Sequence, residues 1–512
     1  MLEPTRLANI LDLVLCNDRM LISDMAVDVP FGLSDHNSIV CSMVTDPVII
    51  APDARPSPVL NWSGADWSNF SNYCQSINWV NIINSSQTVD ELWGALTAEI
   101  INGVKKFVPF YKTSKKYTSS RKSVHKSKIV KKLKVKKRKL WRKLKKSRST
   151  QNKQNYRDTA KKLKAATVSV LESIELKIIK ANDLGYFYKH VNKNSVHKTG
   201  IGPLRNTAGN LVFDDTSKAE LLNFCFVSAC TEDNGNLPPL PDPIPNDEQL
   251  SDIIFTPGQI SQILKKLKNK TSTGPDGMPS ILFRQLSSQL ARPLAIIFNI
   301  IMQSGAVPKI WKQAIVVPIF KKGVSSNPKN YRPISLTCVG SKIFESGIKR
   351  LLVPFLEGKK LLSSNQHGFR AKYSTCINLL ECLNEWNANL DAKASTFVAH
   401  IDFSRAFDTV PLPKLMYKLK NAGVADTLFS CIHSILFDRS QRVKVGNSFS
   451  VPLSVKSCVP QGRVLGPILF IFYINDLTDA VVPPSTPKLY ADDLKAFCSD
   501  RNDKGVKFVR IL

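Results

Sequence analysis

The sequence predicts an α+β fold in which helical segments precede a mixed region of strands and helices, and three observations carry that reading. Lys488-Leu489-Tyr490-Ala491-Asp492-Asp493-Leu494-Lys495-Ala496-Phe497 sets two adjacent carboxylates between apolar flanks, the pattern of a strand-turn-strand hairpin with charge at its tip. Phe397-Val398-Ala399-His400-Ile401-Asp402-Phe403 is a β-prone run with one Asp near its end, which reads as a buried strand delivering a carboxylate. Ahead of both lies a long Lys- and Arg-rich stretch of good helix formers.

The acidic pair sets the chemistry. Neighbouring carboxylates repel and raise each other's pKa unless a cation sits between them. With Asp402 added to Asp492 and Asp493, the set suits two divalent ions about 3.5–4 Å apart, the geometry of in-line phosphoryl displacement. Oxygen ligands without Cys or His in the motif favour Mg²⁺, with Mn²⁺ as a substitute. An isolated Asp-Asp pair is more often a solvated turn; the second strand motif reverses that preference.

Three segments then carry a resemblance. Asp402-Phe403-Ser404-Arg405-Ala406-Phe407-Asp408, Pro460-Gln461-Gly462-Arg463-Val464-Leu465-Gly466-Pro467 and Tyr490-Ala491-Asp492-Asp493 resemble, in order, palm motifs of reverse transcriptases of non-LTR (LINE-type) retrotransposons. The likeness extends upstream through Gly274-Pro275-Asp276-Gly277, Asn330-Tyr331-Arg332-Pro333-Ile334-Ser335-Leu336 and Gln366-His367-Gly368-Phe369-Arg370.

The resemblance implies the fingers and palm of a right-hand polymerase over residues 246–498. It implies RNA-directed DNA synthesis: dNTPs added to a DNA primer or target along an RNA template, with Asp402, Asp492 and Asp493 as catalytic and metal-holding residues. It further implies that Arg332, with Lys321 or Lys322, grips the triphosphate, that Gln461 and Gly462 lie beside the nucleotide and template, and that Phe407 excludes a 2′-hydroxyl. Arg463 stands where the family commonly has a small residue, and the expectation is added bulk and charge beside the template path. Without the resemblance the cations read as solvated surface and Phe407 as core.

Composition sets the partner class. The 512 residues suffice for more than one domain, and a net charge of +30 with a pI near 9.7 calls for a polyanion, most simply nucleic acid. No apolar run reaches the roughly 18–20 residues of a spanning helix, so no membrane partner is expected. Eleven scattered cysteines without Cys-x-x-Cys pairs fit reduced thiols in an intracellular compartment, with nucleus and cytoplasm expected, and seven histidines, none at zinc-ligand spacing, argue against a zinc finger.

In chain order, residues 1–45 resemble the end of an apurinic-endonuclease-like nuclease domain, with strands at Leu11-Asp12-Leu13-Val14-Leu15 and Ser38-Ile39-Val40-Cys41. That likeness would make His36 catalytic, Asp12 its orienting acid and Asp35 metal-associated. About 45 residues cannot bury a core, so a remnant without nuclease activity is expected.

Residues 46–104 read as a Pro-rich linker and a small helical connector, with Trp67, Phe70, Trp79, Leu92, Trp93, Leu96 and Ile100 at helical spacing. Residues 105–245 read as a basic helical nucleic-acid-binding region: Lys105 to Lys164 holds 26 Lys or Arg against one acid, Asp158. Residues 165–230 are expected to be helical, ending in a break of five prolines between Leu237 and Pro245.

Beyond 246, Thr256-Pro257 caps an amphipathic helix, Gly274-Pro275-Asp276-Gly277 is a turn, and 281–303 reads as two helices split near Pro293. Residues 314–323 and 331–334 form an antiparallel pair. Residues 499–512 read as a truncated tail, with the thumb missing. A non-catalytic, basic nucleic-acid-binding remnant is the alternative reading. A group II intron maturase shares the palm chemistry, but the nuclease-like strands at the N-terminus argue against it.

Overall fold

The computed structural model describes residues 14, 22–30, 37–43, 60–111, 127–147, 149–181, 200–231, 233–251 and 253–500. Asp12, Asp35 and His36 lie outside the described residues. The chain divides into two compact units, Lys112–Ile201 and the remainder.

In the larger unit, β1 (Ile22–Pro30) pairs antiparallel with β2 (Asn37–Met43), with Met25 opposite Cys41. The sequence predicts strands at 11–15, all but Val14 of which lies outside the described residues, and at 38–41, which falls in β2; β1 is an addition to them. Three helices follow: α1 (Trp67–Ser76), α2 (Trp79–Ser85) and α3 (Val89–Phe107). The hydroxyl of Thr88 accepts from the Glu91 N–H at 3.2 Å and the Glu91 carboxylate accepts from the Thr88 N–H at 3.3 Å, a reciprocal cap that starts α3. Leu92, Trp93, Leu96 and Ile100 are buried along one face of α3. That face does not belong to a free-standing connector. Trp93 meets Trp311 edge-on at 4.9 Å between ring centroids, and a Cβ on Gly340 would stand 2.1 Å from the Trp93 ring.

The smaller unit is a helical hairpin of α4 (Lys128–Lys146) and α5 (Thr150–Ala181). The turn is closed by the Asn152 side-chain amide donating to the Ser147 carbonyl at 3.0 Å.

Returning to the larger unit, residues 200–212 depart from the expected continuous helix. Gly200, Gly202, Pro203 and Gly209 break it, and a turn with Gly209 at φ +86° joins β3 (Leu204–Arg205) to β4 (Leu211–Val212). Helix α6 (Asp215–Val227) then packs on the central sheet, where the buried Asn223 amide donates to the Val451 carbonyl at 2.9 Å.

Helix α7 (Pro257–Lys266) carries the Thr256 cap read from the sequence, and the Gly277 N–H closes the 274–277 turn on the Gly274 carbonyl at 3.1 Å. The following helices, α8 (Ser280–Gln285) and α9 (Ser287–Ser304), break at Leu286 rather than at Pro293. Pro293 sits inside α9 because Leu290, Leu294, Ile297, Phe298 and Ile301 bury one continuous face across it, which outweighs the lost backbone bond.

The remaining elements are β5 (Gln313–Phe320), β6 (Tyr331–Leu336), α10 (Val339–Gly358), α11 (Thr375–Asp391), β7 (Ser395–Ile401), α12 (Leu412–Asn421), α13 (Asp426–Leu436), β8 (Arg439–Val445), β9 (Ser448–Phe449), β10 (Leu453–Val455), α14 (Gly466–Tyr473), β11 (Thr486–Tyr490) and β12 (Asp493–Asp500). They make two sheets, ordered β10-β8-β5-β6, with β5 and β8 parallel, and β11-β12-β7, antiparallel throughout. One apolar core runs through α1, α3, α7 to α10 and α12 to α14. Among the described residues no helix is long and apolar enough to cross a membrane.

Candidate active site

Strand register brings the three carboxylates together. Ile401 pairs with Leu494, so the same register carried one step further sets Asp402 opposite Asp493. Tyr490 pairs with Asp493 across a two-residue turn, with Ala491 in the left-handed region at φ +58° and Asp492 at the tip. Asp402, Asp492 and Asp493 line one cleft of about 490 Å³ together with Lys321, Arg332 and Phe407. Burial pushes the Asp492 carboxyl above its usual range, and the charges of Asp493 and Asp402 push the same way against Arg332.

The turn is held from behind by a residue to which the sequence gave no role. Gln366, 1% exposed, accepts from the Ala491 N–H at 2.9 Å and donates to the Ala491 carbonyl at 3.2 Å, while its oxygen also accepts from the Gly368 N–H at 2.7 Å. The Gln366 segment lies along β11, with the His367 N–H donating to the Leu489 carbonyl and the Leu489 N–H to the Asn365 carbonyl, both at 2.9 Å. A Cβ on Gly368 would stand 2.3 Å from the Ala491 nitrogen, so the glycine permits the approach. The available signal was an uncharged polar side chain two residues before a glycine, which names no partner by itself.

The hairpin of β5 and β6 delivers the cations. Phe320 pairs with Tyr331 and the Lys321 N–H donates to the Asn330 carbonyl at 2.9 Å, which brings Lys321 and Arg332 to the cleft and leaves Lys322 off its wall. Lys329, which the sequence did not single out, also lines it. Phe407 stacks on Phe470 at 4.0 Å and meets Phe369 edge-on at 6.1 Å, so it is packed on one side and faces the cleft on the other. Gln461 lines the cleft, and its carbonyl accepts from the Ser335 N–H at 3.0 Å. Gly462 adopts φ +117° beside that contact, and a Cβ there would meet the Ser335 carbonyl oxygen at 2.5 Å.

Arg463 corrects the expectation drawn from the sequence. Its side chain is turned away from the cleft into the interior, donating to the Glu345 carboxylate at 2.8 Å, the Trp311 carbonyl at 2.6 Å and the Ser341 hydroxyl at 3.2 Å. Both partners of this ion pair are buried, at 3% and 0% exposure. The second Glu345 oxygen accepts from the N–H groups of Val464 and Leu465 at 2.8 and 3.1 Å, so the pair fixes the loop that carries Gln461 and Gly462. A charge at position 463 is tolerated because Glu345, more than a hundred residues earlier, neutralises it.

The acids suit a hard divalent cation in kind. The donors are carboxylate oxygens, with no thiol or imidazole among the described residues that line the cleft. Asp402 and Asp493 are exposed. As they stand, among the described residues no three acidic, His or Cys side chains enclose an ion.

Residues 319–512 match the family described as reverse transcriptase (RNA-dependent DNA polymerase). Over 220 residues, 43% of this chain, the sequence is 33% identical to a probable RNA-directed DNA polymerase from transposon BS of Drosophila melanogaster. Over 236 residues, 46% of this chain, it is 31% identical to the RNA-directed DNA polymerase from the mobile element jockey of the same organism. The aligned segment spans 24% and 25% of those relatives, about a quarter of each. A chain of a partial Cas6-RT-Cas1–Cas2 complex aligns with 48% of this one at 19% identity and a TM-score of 0.28. The matched region is thus similar to reverse transcriptases of non-LTR, LINE-type elements.

Proposed function

We propose that this chain is an RNA-directed DNA polymerase of a non-LTR retrotransposon, joining dNTPs to the 3′-hydroxyl of a DNA primer or target along an RNA template. The observation that carries the reading is the convergence of Asp402, Asp492 and Asp493 on one cleft with Lys321 and Arg332. In this reading β7, β11 and β12 belong to the palm, and the hairpin of β5 and β6 to the fingers.

Each residue has a distinct task. Arg332 presents a planar, bidentate guanidinium to the triphosphate and Lys321 a mobile point charge. Phe407, braced by Phe470, closes the space beside the sugar C2′ and favours dNTP over rNTP. Gln461 and Gly462 give the backbone a close approach to the nascent base pair. Asp402, Asp492 and Asp493 would hold Mg²⁺, or Mn²⁺ in its place, and the bound ions would lower the pKa of the primer hydroxyl and stabilise charge on the departing pyrophosphate. Asp493 opens β12, Asp402 directly follows β7 and Asp492 sits in the two-residue turn between β11 and β12, so the backbone of all three acids is anchored by paired strands.

Primer extension on an RNA template tests the reading. Wild type should extend with dNTPs and Mg²⁺ and stop on chelation, and Asp492→Asn should lose at least about 10²-fold while keeping its affinity for template. Tight, salt-dependent binding by wild type with no extension would instead mark a non-catalytic nucleic-acid-binding remnant.

We also read residues 1–45 as the end of an endonuclease-like domain, supported by the antiparallel pairing of β1 and β2 on either side of residues 31–36. The sites of action in this reading are nucleus and cytoplasm, where the template and target are found.

A further inference from the structure

We propose that the helical hairpin of α4 and α5 carries a stacking platform for unpaired nucleobases, formed by Trp141 and Tyr156. On α4, Lys134, Lys137, Arg138 and Trp141 follow one another at i, i+3, i+4 and i+7, so they occupy a single helix face. That face borders a cavity of about 490 Å³ whose other wall includes Tyr156 and Leu163 of α5. Lys134, Arg138 and Trp141 are exposed and Lys137 is half-buried, so this face is open to solvent rather than part of a packed seam. Three of the four are cations, Val135 borders the cavity beside them, and none of the described lining residues is acidic.

The aromatic pair has the geometry of an open platform. The Trp141 and Tyr156 centroids are 5.4 Å apart with the planes inclined at 44°, so the rings do not stack on each other and cover one another's faces. Trp141 remains 46% exposed. The Lys137 ammonium lies over the Tyr156 ring, 5.5 Å from its centre, which leaves Trp141 as the more open of the two rings.

A ligand that suits both wall types is a polyanion that also presents flat apolar faces. Single-stranded nucleic acid does so, with phosphates for Lys134, Lys137 and Arg138 and bases for the two rings. A duplex hides its base faces in the stack and could use only the cations. The charge of α4 supplies the complementarity: 12 of its 19 residues are Lys or Arg and none is acidic. This rests on the reading of a nucleic-acid partner but not on polymerase activity.

Fluorescence anisotropy on the full chain tests the platform with four labelled probes: single-stranded RNA, single-stranded DNA, the corresponding duplex, and a single strand carrying abasic sites in place of bases. Trp141→Ala should weaken the two base-bearing single strands about ten-fold and leave duplex and abasic strand unchanged, and Trp141→Phe should restore most of the loss. Lys137→Gln should weaken all four and lower the salt slope by about one. Tyr156→Leu, which keeps apolar bulk between the helices, should reproduce the discrimination of Trp141→Ala. Loss on RNA alone assigns the platform to RNA, and loss on both single strands assigns it to unpaired bases of either kind. An equal loss on all four probes, or none on any, would overturn the proposal. A chain that discriminates among the probes yet extends no primer would keep this inference and remove the polymerase reading.

Discussion

The side-chain amide of Gln366 holds both backbone polar groups of Ala491, accepting from its N–H at 2.9 Å and donating to its carbonyl at 3.2 Å. Ala491 is the left-handed residue immediately before Asp492, so this contact fixes where the acidic turn points. Gln366→Ala would leave buried backbone groups without partners and cost about 1–3 kcal/mol for each. Because the turn would also drift, kcat in primer extension should fall about 10²-fold with little change in KM for dNTP. Stopped kinetics beside a denaturant titration would check this; a stability loss with unchanged kcat in the folded fraction would show that the contact only supports the fold.

Phe407 is anchored by its stack on Phe470 and faces the cleft with its other side. Phe407→Val should raise rNTP incorporation relative to dNTP by at least about ten-fold, as expected when a wall is cut back by several carbons. Competition between labelled dNTP and rNTP on one template measures the ratio, and an unchanged ratio would remove the sugar-gating role.

Arg463 and Glu345 form a buried pair whose members cannot be removed singly without leaving a bare charge. Arg463→Ala should destabilise the chain by about 3–5 kcal/mol, while Arg463→Met combined with Glu345→Met should recover part of that loss. Recovery stays incomplete because Glu345 also accepts from Val464 and Leu465. Chemical denaturation of the singles and the double gives the comparison; full stability in Arg463→Ala would mean the pair contributes nothing.

Asp276 supplies a pH signature. Burial raises its carboxyl above the usual range, outweighing the Met278 N–H, which donates to its Oδ1 at 3.3 Å, and the neighbouring Cys338. An acid whose folded pKa exceeds its unfolded value favours the fold when protonated, and that contribution is lost as pH rises from the unfolded value through the folded one. Asp276→Asn should therefore melt above wild type at pH 7, with the difference closing below about pH 4. Melting curves at the two pH values suffice, and a constant difference between them would reject the assignment.

What the sequence revealed and what it hid divide along chain distance. The acidic hairpin, the Thr256 cap and the 274–277 turn are all written in neighbouring residues, and each has its expected place; the strand before Asp402 is present too, but as an edge strand with no buried residue instead of the buried one expected. Choosing Lys321 over Lys322 needed the register of β5 against β6, since successive strand residues face opposite ways. The fate of Arg463 depended on Glu345, and the role of Gln366 on Ala491, partners far away in the sequence. Pro293 misled for the same reason: a local helix breaker was overruled by apolar contacts that only the folded core supplies.

The contact of Trp93 with Trp311 and Gly340 has a consequence for how the chain is made. More than two hundred residues separate Trp93 from the indole that covers it, so a ribosome would need roughly ten to forty seconds to supply the partner. During that interval α3 can form and be capped, but its oily side stays wet. The nascent polypeptide is therefore a client for holding chaperones until Trp311 has emerged, and slow codons between the two tryptophans would lengthen its exposure to aggregation.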